Sequence, residues 1–129
     1  MRGEQGSMLP LVGALVFVTF AVLALVVDIA LLHGAYLEAA AHADAAAEYG
    51  AAMVDVGAIH DGELRLNAAR ARDAVLVAVG GNETVLALDV SSDVICVTLG
   101  SVHRTHALTF VGVREVDVRV RSCARSAVG

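Results

Sequence analysis

One stretch limits this chain more than any other. From Met8 to Val27, "MLPLVGALVFVTFAVLALVV" runs for 20 residues without a charge. As a helix rising about 1.5 Å per residue, it matches the ~30 Å hydrocarbon core of a bilayer. Secretory signal peptides carry a shorter apolar region, roughly 7–15 residues, followed by a small-residue cleavage site. Here helix-favouring sequence follows instead, so the segment reads as a permanent anchor. Ser7 is suited to cap the helix, and Pro10 falls in the first turn, where its missing N–H has no intrahelical acceptor to lose. Arg2 is the only cation near either end, and the sequence beyond the segment is acidic until Arg65. The excess of cations on the cytoplasmic side of such segments predicts a cytoplasmic N-terminus, a single pass through the cytoplasmic membrane and an extracytoplasmic C-terminal part. The expected division is a leader-like segment 1–7, a transmembrane helix 8–27, a helical spine 28–56 and a small head 57–129.

Asp28 sits at the predicted outer boundary, where a carboxylate can reach water; at the bilayer centre it would cost about 2.5–3.5 kcal/mol. The helix signal does not stop there. Residues 29–56 are rich in Ala, Leu and Glu, with Gly34 the one weak helix former before Gly50. At 100° per residue the polar positions form two stripes, Asp28, Glu38, His42 and Tyr49 on one side and His33, Asp44, Glu48 and Asp55 on the other. Between them lie two small-residue faces. One is Ala39, Ala43, Ala47, Gly50 and Val54; the other is Gly34, Ala41, Ala45 and Ala52. Two such faces can pack against neighbouring helices at close range, whereas a surface helix of a self-contained domain needs only one apolar stripe. The other reading is an Ala-rich helix packed on its own head.

For the head, "GAIHDG" at 57–62 reads as a break. Residues 64–81 read as a second helix, with Asn67 as a cap and Gly80–Gly81 as a stop; Leu66, Ala69, Val75 and Val77 are expected inward and Arg70, Arg72 and Asp73 outward. Strands are expected at 84–90 and 93–99, joined by Ser91–Ser92, and at 113–122, where Val116, Val118 and Val120 alternate with Asp117, Arg119 and Arg121. The connection 100–112 fits either a turn of helix or an edge strand. The fold class is therefore α+β, with a long N-terminal helix, a second short helix and a small antiparallel sheet of about three strands. So small a head needs part of the spine to complete its core. Cys96 and Cys123 both fall on the less apolar side of their strands. If those strands are neighbours, an extracytoplasmic disulfide can form, worth roughly 3 kcal/mol for the loop it closes.

The chain is 57% apolar but only 4% aromatic, a bias that suits helix contacts and short strands better than a ligand-binding core. Residues 1–64 hold one Arg against eight acidic residues, and residues 65–129 hold eight Arg against six. No basic run interleaved with aromatics points to nucleic acid. His103 and His106 have an H-x-x-H spacing, but no Cys or paired carboxylate completes a metal set. Gly80, Gly81 and Asn82 read as a turn, since no Lys or hydroxyl follows at phosphate-loop spacing. Asn82-Glu83-Thr84 matches a glycosylation sequon. No nucleophile setting is recognisable, so neither catalysis nor a cofactor or metal is expected.

The N-terminal half resembles the TadE/TadG-like proteins of the tight-adherence (Flp) pilus system of bacteria. The resemblance covers about residues 2–53. It rests on "RGEQGS" before the apolar run, "ALVVDIAL" at its end and "YLEAAAHADAAAEYGAA" after it, including the motif Asp44-Ala45-Ala46-Ala47; the closing "VDVRVRSCARSAVG" is similar to the family's last strand. It implies a pilin-like architecture and a non-catalytic role as a minor pilin, pseudopilin or pilus-assembly component in the cell envelope. The implied partners are other pilin-like subunits or assembly machinery, met through the helical spine at Ala39, Ala43, Ala47 and Gly50. It also implies one of two fates at Gly6–Ser7: cleavage there by a prepilin peptidase, or an uncleaved anchor as in TadG-like members. The sequence departs from the usual pattern at Leu11, the fifth residue after that cut, where many pilins carry Glu. The reading that competes with it is a bitopic envelope protein whose small extracytoplasmic domain binds a partner unrelated to pili.

Overall fold

The apolar run and the Ala-rich run form one helix. In a computed structural model that describes residues 8–81 and 83–126, α1 extends unbroken from Met8 to Ala51, 44 residues and about 66 Å long at 1.5 Å per residue. Residues 10–27 are exposed on every side, as a lipid-facing segment is; only 6% of the helix's most apolar window is covered by the rest of the chain. By length and apolarity this helix could cross a membrane. Gly6, Ser7 and the sequon residue Asn82 lie outside the described residues.

The helix ends at Ala51, short of the expected residue 56, because the next residues pair elsewhere. Val54 forms an isolated antiparallel bridge with Leu66, the Asp55 N–H donates to the Arg65 carbonyl at 2.8 Å, and the Asn67 N–H donates to the Met53 carbonyl at 2.9 Å. The expected break holds a single turn, α2, Val56–His60, capped by the Asp55 carboxylate, which accepts from the Gly57 N–H. The second helix is shorter than the expected 64–81. α3 runs Ala68–Ala78, with Asn67 capping it by accepting from the Arg70 N–H at 3.1 Å. Its inward positions also need correction. Ala71 and Val75 are fully buried and Leu66 nearly so, whereas Val77 is 86% exposed and Ala69 is exposed. Ala71 and Val75 share a face at i, i+4 spacing, and Val77, two residues on, points away from it.

β1 (Thr84–Val90), β2 (Val94–Arg104) and β3 (Glu115–Arg125) form an antiparallel meander, so the molecule is α+β, as expected. The ambiguous 100–112 connection holds the turn of helix, a 3-10 turn η1 at Leu108–Val111, and not an edge strand: residues 100–104 extend the central strand β2 to Arg104. A bulge between Val85 and Ala87 interrupts the β1–β2 register. There Leu86 lies over Gly100, where a Cβ would come within 2.6 Å of its Cδ1; a side chain at position 100 would displace it. Alternation assigns the faces: Ile95, Val97 and Leu99 are fully buried, and Val118 and Val120 are 7% exposed.

Those residues pack on α1. The core joins Ala39, Ala43, Ala46, Ala47 and Ala51 of the helix to Ala71, Val75 and the buried strand residues. The spine thus supplies one wall of the head's core. β2 and β3 run alongside α1 rather than across it. Ile95 meets the helix at Gly50, Ser122 of β3 donates to Asp44, and the far end of the hairpin reaches Asp28. The lengths agree. Twenty-two helical residues from Asp28 to Gly50 cover about 33 Å, and eleven extended residues from Ile95 to His106 cover about 36 Å.

Candidate functional site

Two regions of α1 carry what is specific to this chain: its small-residue face and Asp28. The face expected to receive neighbouring helices is taken up from within. Ala39 is 2% exposed, Ala43 and Ala47 are fully buried, and a Cβ on Gly50 would stand 2.5 Å from Ile95 Cδ1 and 3.0 Å from Val75 Cγ2. Two faces of similar composition flank the polar stripes; the one that matches the branched residues of β2 and α3 is covered, and no second helix can reach it while the head is docked. Val54 at its end is half-buried. The opposite face, with Gly34, Ala41, Ala45 and Ala52, is exposed.

The motif Asp44-Ala45-Ala46-Ala47 divides accordingly. Ala46 and Ala47 lie in the core, Ala45 lies on the open face, and the Asp44 carboxylate accepts from Ser122 Oγ on β3. A second tie, between His42 Nδ1 and Glu83 Oε1 at 3.0 Å, fixes the segment before β1 to the same helix. His42 and Glu83 carry ordinary surface signatures in the sequence, and only the fold brings them together.

Asp28 departs most from expectation. It does not reach for water. Its side chain is 2% exposed, and its carboxylate accepts three backbone N–H groups, from His106 at 3.1 Å, Ala107 at 2.7 Å and Leu108 at 2.8 Å. These precede and begin η1, which has no side-chain cap of its own at Ala107. The first N–H groups of a helical turn have no partner within it; here a carboxylate 78–80 residues away in sequence supplies the acceptor. Asp28 lies beyond the uncharged 8–27 segment. The N–H of Leu108 foremost, joined by those of His106 and Ala107 and by the nearby His106 ring, holds its carboxyl below the usual carboxylate range against the opposing effect of burial. Thr105 finishes the arrangement: its N–H donates to the Arg114 carbonyl at 3.0 Å, its hydroxyl to the Val113 carbonyl, and its own carbonyl accepts from Thr109 Oγ1.

The other sequence candidates fall as follows. Cys96 and Cys123 are directly opposite in the β2–β3 register and form a disulfide, S–S 2.07 Å, on the face turned away from α1. His103 is half-buried near the end of β2, while His106 is exposed and contributes its backbone N–H to Asp28. Among the described residues no three His, Cys, Asp or Glu side chains gather as metal ligands. A groove of about 700 Å³ lies between the end of α1 and α3, lined by Tyr49, Met53, Arg70, Asp73, Ala74, Val77 and Ala78. It is open and mostly apolar, and its charged groups, Arg70 and Asp73, sit on the outward side of α3. Nothing in it pairs a nucleophile with a base. Comparison with protein-family models, curated proteins and solved structures finds no match to this chain.

Proposed function

We propose that this chain is a non-catalytic, membrane-anchored minor pilin, pseudopilin or assembly component of a tight-adherence (Flp, type IV-related) pilus, with its N-terminus in the cytoplasm and its head outside. The observation that carries the reading is the single helix Met8–Ala51: its uncharged half stands free, and its second half is built into a small α+β head. Such a chain can leave a bilayer and enter a helical bundle without refolding its head. The likeness of residues 2–53 to TadE/TadG-like proteins supports the same reading. In it the work is assembly, and the contact surfaces are the free half of α1 and the open face at Gly34, Ala41 and Ala45. Beyond the helix's own adjoining backbone, nothing lies within 4 Å of the positions a Cβ would take at Gly13 and Gly34, so a neighbouring helix can approach closely there. Prepilin peptidase is the partner expected at Gly6–Ser7.

One observation favours the competing reading of a bitopic envelope protein with a small binding domain. The face at Ala39, Ala43, Ala47 and Gly50 is filled by the chain's own head, which leaves neighbours only one of the two small-residue faces of the spine. Intact mass and N-terminal sequence of the membrane-extracted chain, together with its presence in sheared surface filaments, separate the two. A start at Ser7 and recovery with filaments are expected. A start at Met1 or Arg2, with the chain missing from filaments and from cross-links to assembly proteins through Ala45, would overturn the pilus reading.

A further inference from the structure

The tip of the β2–β3 hairpin carries an apolar surface that the pilus reading leaves unused. Phe110 is 94% exposed, Val111 74% and Val113 41%. This is no loose loop. The Phe110 N–H donates to the Ala107 carbonyl, the Gly112 N–H to the Thr109 carbonyl and the Val113 N–H to the Leu108 carbonyl, all at 3.0–3.1 Å. Gly112, at φ 89°, turns the chain back into β3. A chain that fixes a Phe and a Val outward in an ordered turn has prepared an apolar surface for contact.

Position says what the surface meets. The hairpin runs down α1 from Gly50 towards the N-terminal, uncharged half, and its tip is bonded to Asp28, the residue immediately after that half. Phe110 is two residues from Leu108, whose N–H lies 2.8 Å from the Asp28 carboxylate, so its backbone is tied within about 13 Å of the Asp28 backbone, the residue that follows the apolar segment. The helix itself is apolar and exposed at the level of Asp28, where Val26, Val27 and Ile29 are each 56% exposed. Exposed His106 and Arg114 flank the turn, an arrangement of polar shoulders around an apolar point that suits the headgroup layer.

We propose that this turn is a second membrane contact: Phe110 and Val111 enter the outer headgroup–acyl boundary of the bilayer that α1 crosses, and Asp28 holds them at that depth. The inference rests on the reading of residues 8–27 as a membrane span. Apolar groups anchored this way sit about 5–10 Å into the boundary. The contact seats the head on the bilayer surface beside its own helix.

The chain contains no Trp, so a single introduced Trp reports its own surroundings. Phe110→Trp, Leu15→Trp within the span and Val77→Trp on α3 are each placed in the full chain in vesicles of phosphatidylcholine and phosphatidylglycerol, without brominated lipid, with lipid brominated near the headgroup end of the acyl chains, and with lipid brominated near their methyl end, which reports on Leu15→Trp. The expected result is that Phe110→Trp emits to the blue of Val77→Trp and loses emission to lipid brominated near the headgroup end, as a group about 5–10 Å into the boundary must, while Val77→Trp is unaffected. Quenching of Leu15→Trp without quenching of Phe110→Trp would overturn the proposal and leave the span standing. Blue emission from Phe110→Trp without quenching would overturn it in favour of a protein covering the turn. Failure of lipid to quench Leu15→Trp would remove the span itself, and the proposal with it.

Discussion

Gly50→Ala sets two opposing effects against each other, and the structure decides between them. In an exposed helix the substitution stabilises by about 1 kcal/mol, because Gly loses more backbone freedom on folding. At position 50 the new methyl would lie 2.5 Å from Ile95 Cδ1 and 3.0 Å from Val75 Cγ2. The Ile95 methyl is the end of a flexible side chain, but Ile95 itself is fully buried and cannot turn aside without pressing on its neighbours. Overpacking of this kind costs about 1–3 kcal/mol, so the net effect is a loss of about 1 kcal/mol, or a fall in Tm of roughly 4–8 °C for a domain of this size. Ile95→Val deletes the methyl in question and alone costs about 0.5–1.5 kcal/mol. Combined, the two changes relieve each other: the Ala methyl occupies space that Cδ1 has left, and the helix-propensity gain is recovered. The double variant is therefore more stable than the sum of the single effects predicts, by about 1 kcal/mol or more. Thermal unfolding of the four proteins in detergent micelles, followed by circular dichroism, measures this coupling. Additivity within about 0.5 kcal/mol, or a Gly50→Ala variant that melts higher than the parent, would refute the docking of β2 on this face of α1.

Three further outcomes follow from the same contacts. Ala47→Leu, in the core, is expected to destabilise the head by about 1–3 kcal/mol, while Ala45→Leu, on the open face, leaves its melting unchanged; equal effects in micelles would show that the two faces are not distinguished. Reduction of Cys96–Cys123, which closes a separation of 27 residues, should lower stability by about 3 kcal/mol on chain-entropy grounds, read as a lower Tm and as altered mobility on non-reducing gels. For Asp28, whose carboxyl is held below its ordinary 3.8, the sign is that of a depressed acid. Its contribution is full above the unfolded-state value and is lost as pH falls through the lower folded-state value. Amide protection at His106, Ala107 and Leu108, corrected for intrinsic exchange, should persist at pH 5, disappear below the ordinary carboxyl range, and be absent at every pH in Asp28→Ala.

Much of the fold is legible in the sequence because it rests on short-range periodicity. The alternation of Val116, Val118 and Val120 assigns the faces of β3, the parity of Ile95, Val97 and Leu99 does so for β2, and together they place both cysteines on the outer face. Asn67 marks the start of α3 by its chemistry. Val77 misled because an 11-residue helix has room for one buried stripe, and Ala71 and Val75 define it; a small residue in that stripe gives no hydrophobic signal. The two small-residue faces of α1 look alike in sequence, since which one is covered depends on strands some fifty residues later. The role of Asp28 is the least legible: its partners are backbone N–H groups, which every residue but proline carries, so no side-chain pattern at 106–108 announces them.

The docking of the hairpin along α1 from Asp28 to Gly50 has a mechanical result. With residues 8–27 in a bilayer, no free linker separates span from head, and the head has no hinge of its own. Any lean of the helix is a lean of the whole molecule. Asp28 and Ala51 are about 35 Å apart along the axis, so a tilt of about 20°, average for a membrane helix, carries the far end of the head roughly 12 Å sideways. A rotation of the helix about its axis turns the outer face of the sheet, with its disulfide, through the same angle. Lipid thickness and neighbouring helices, acting only on the buried half, thereby aim the outer surface of the protein.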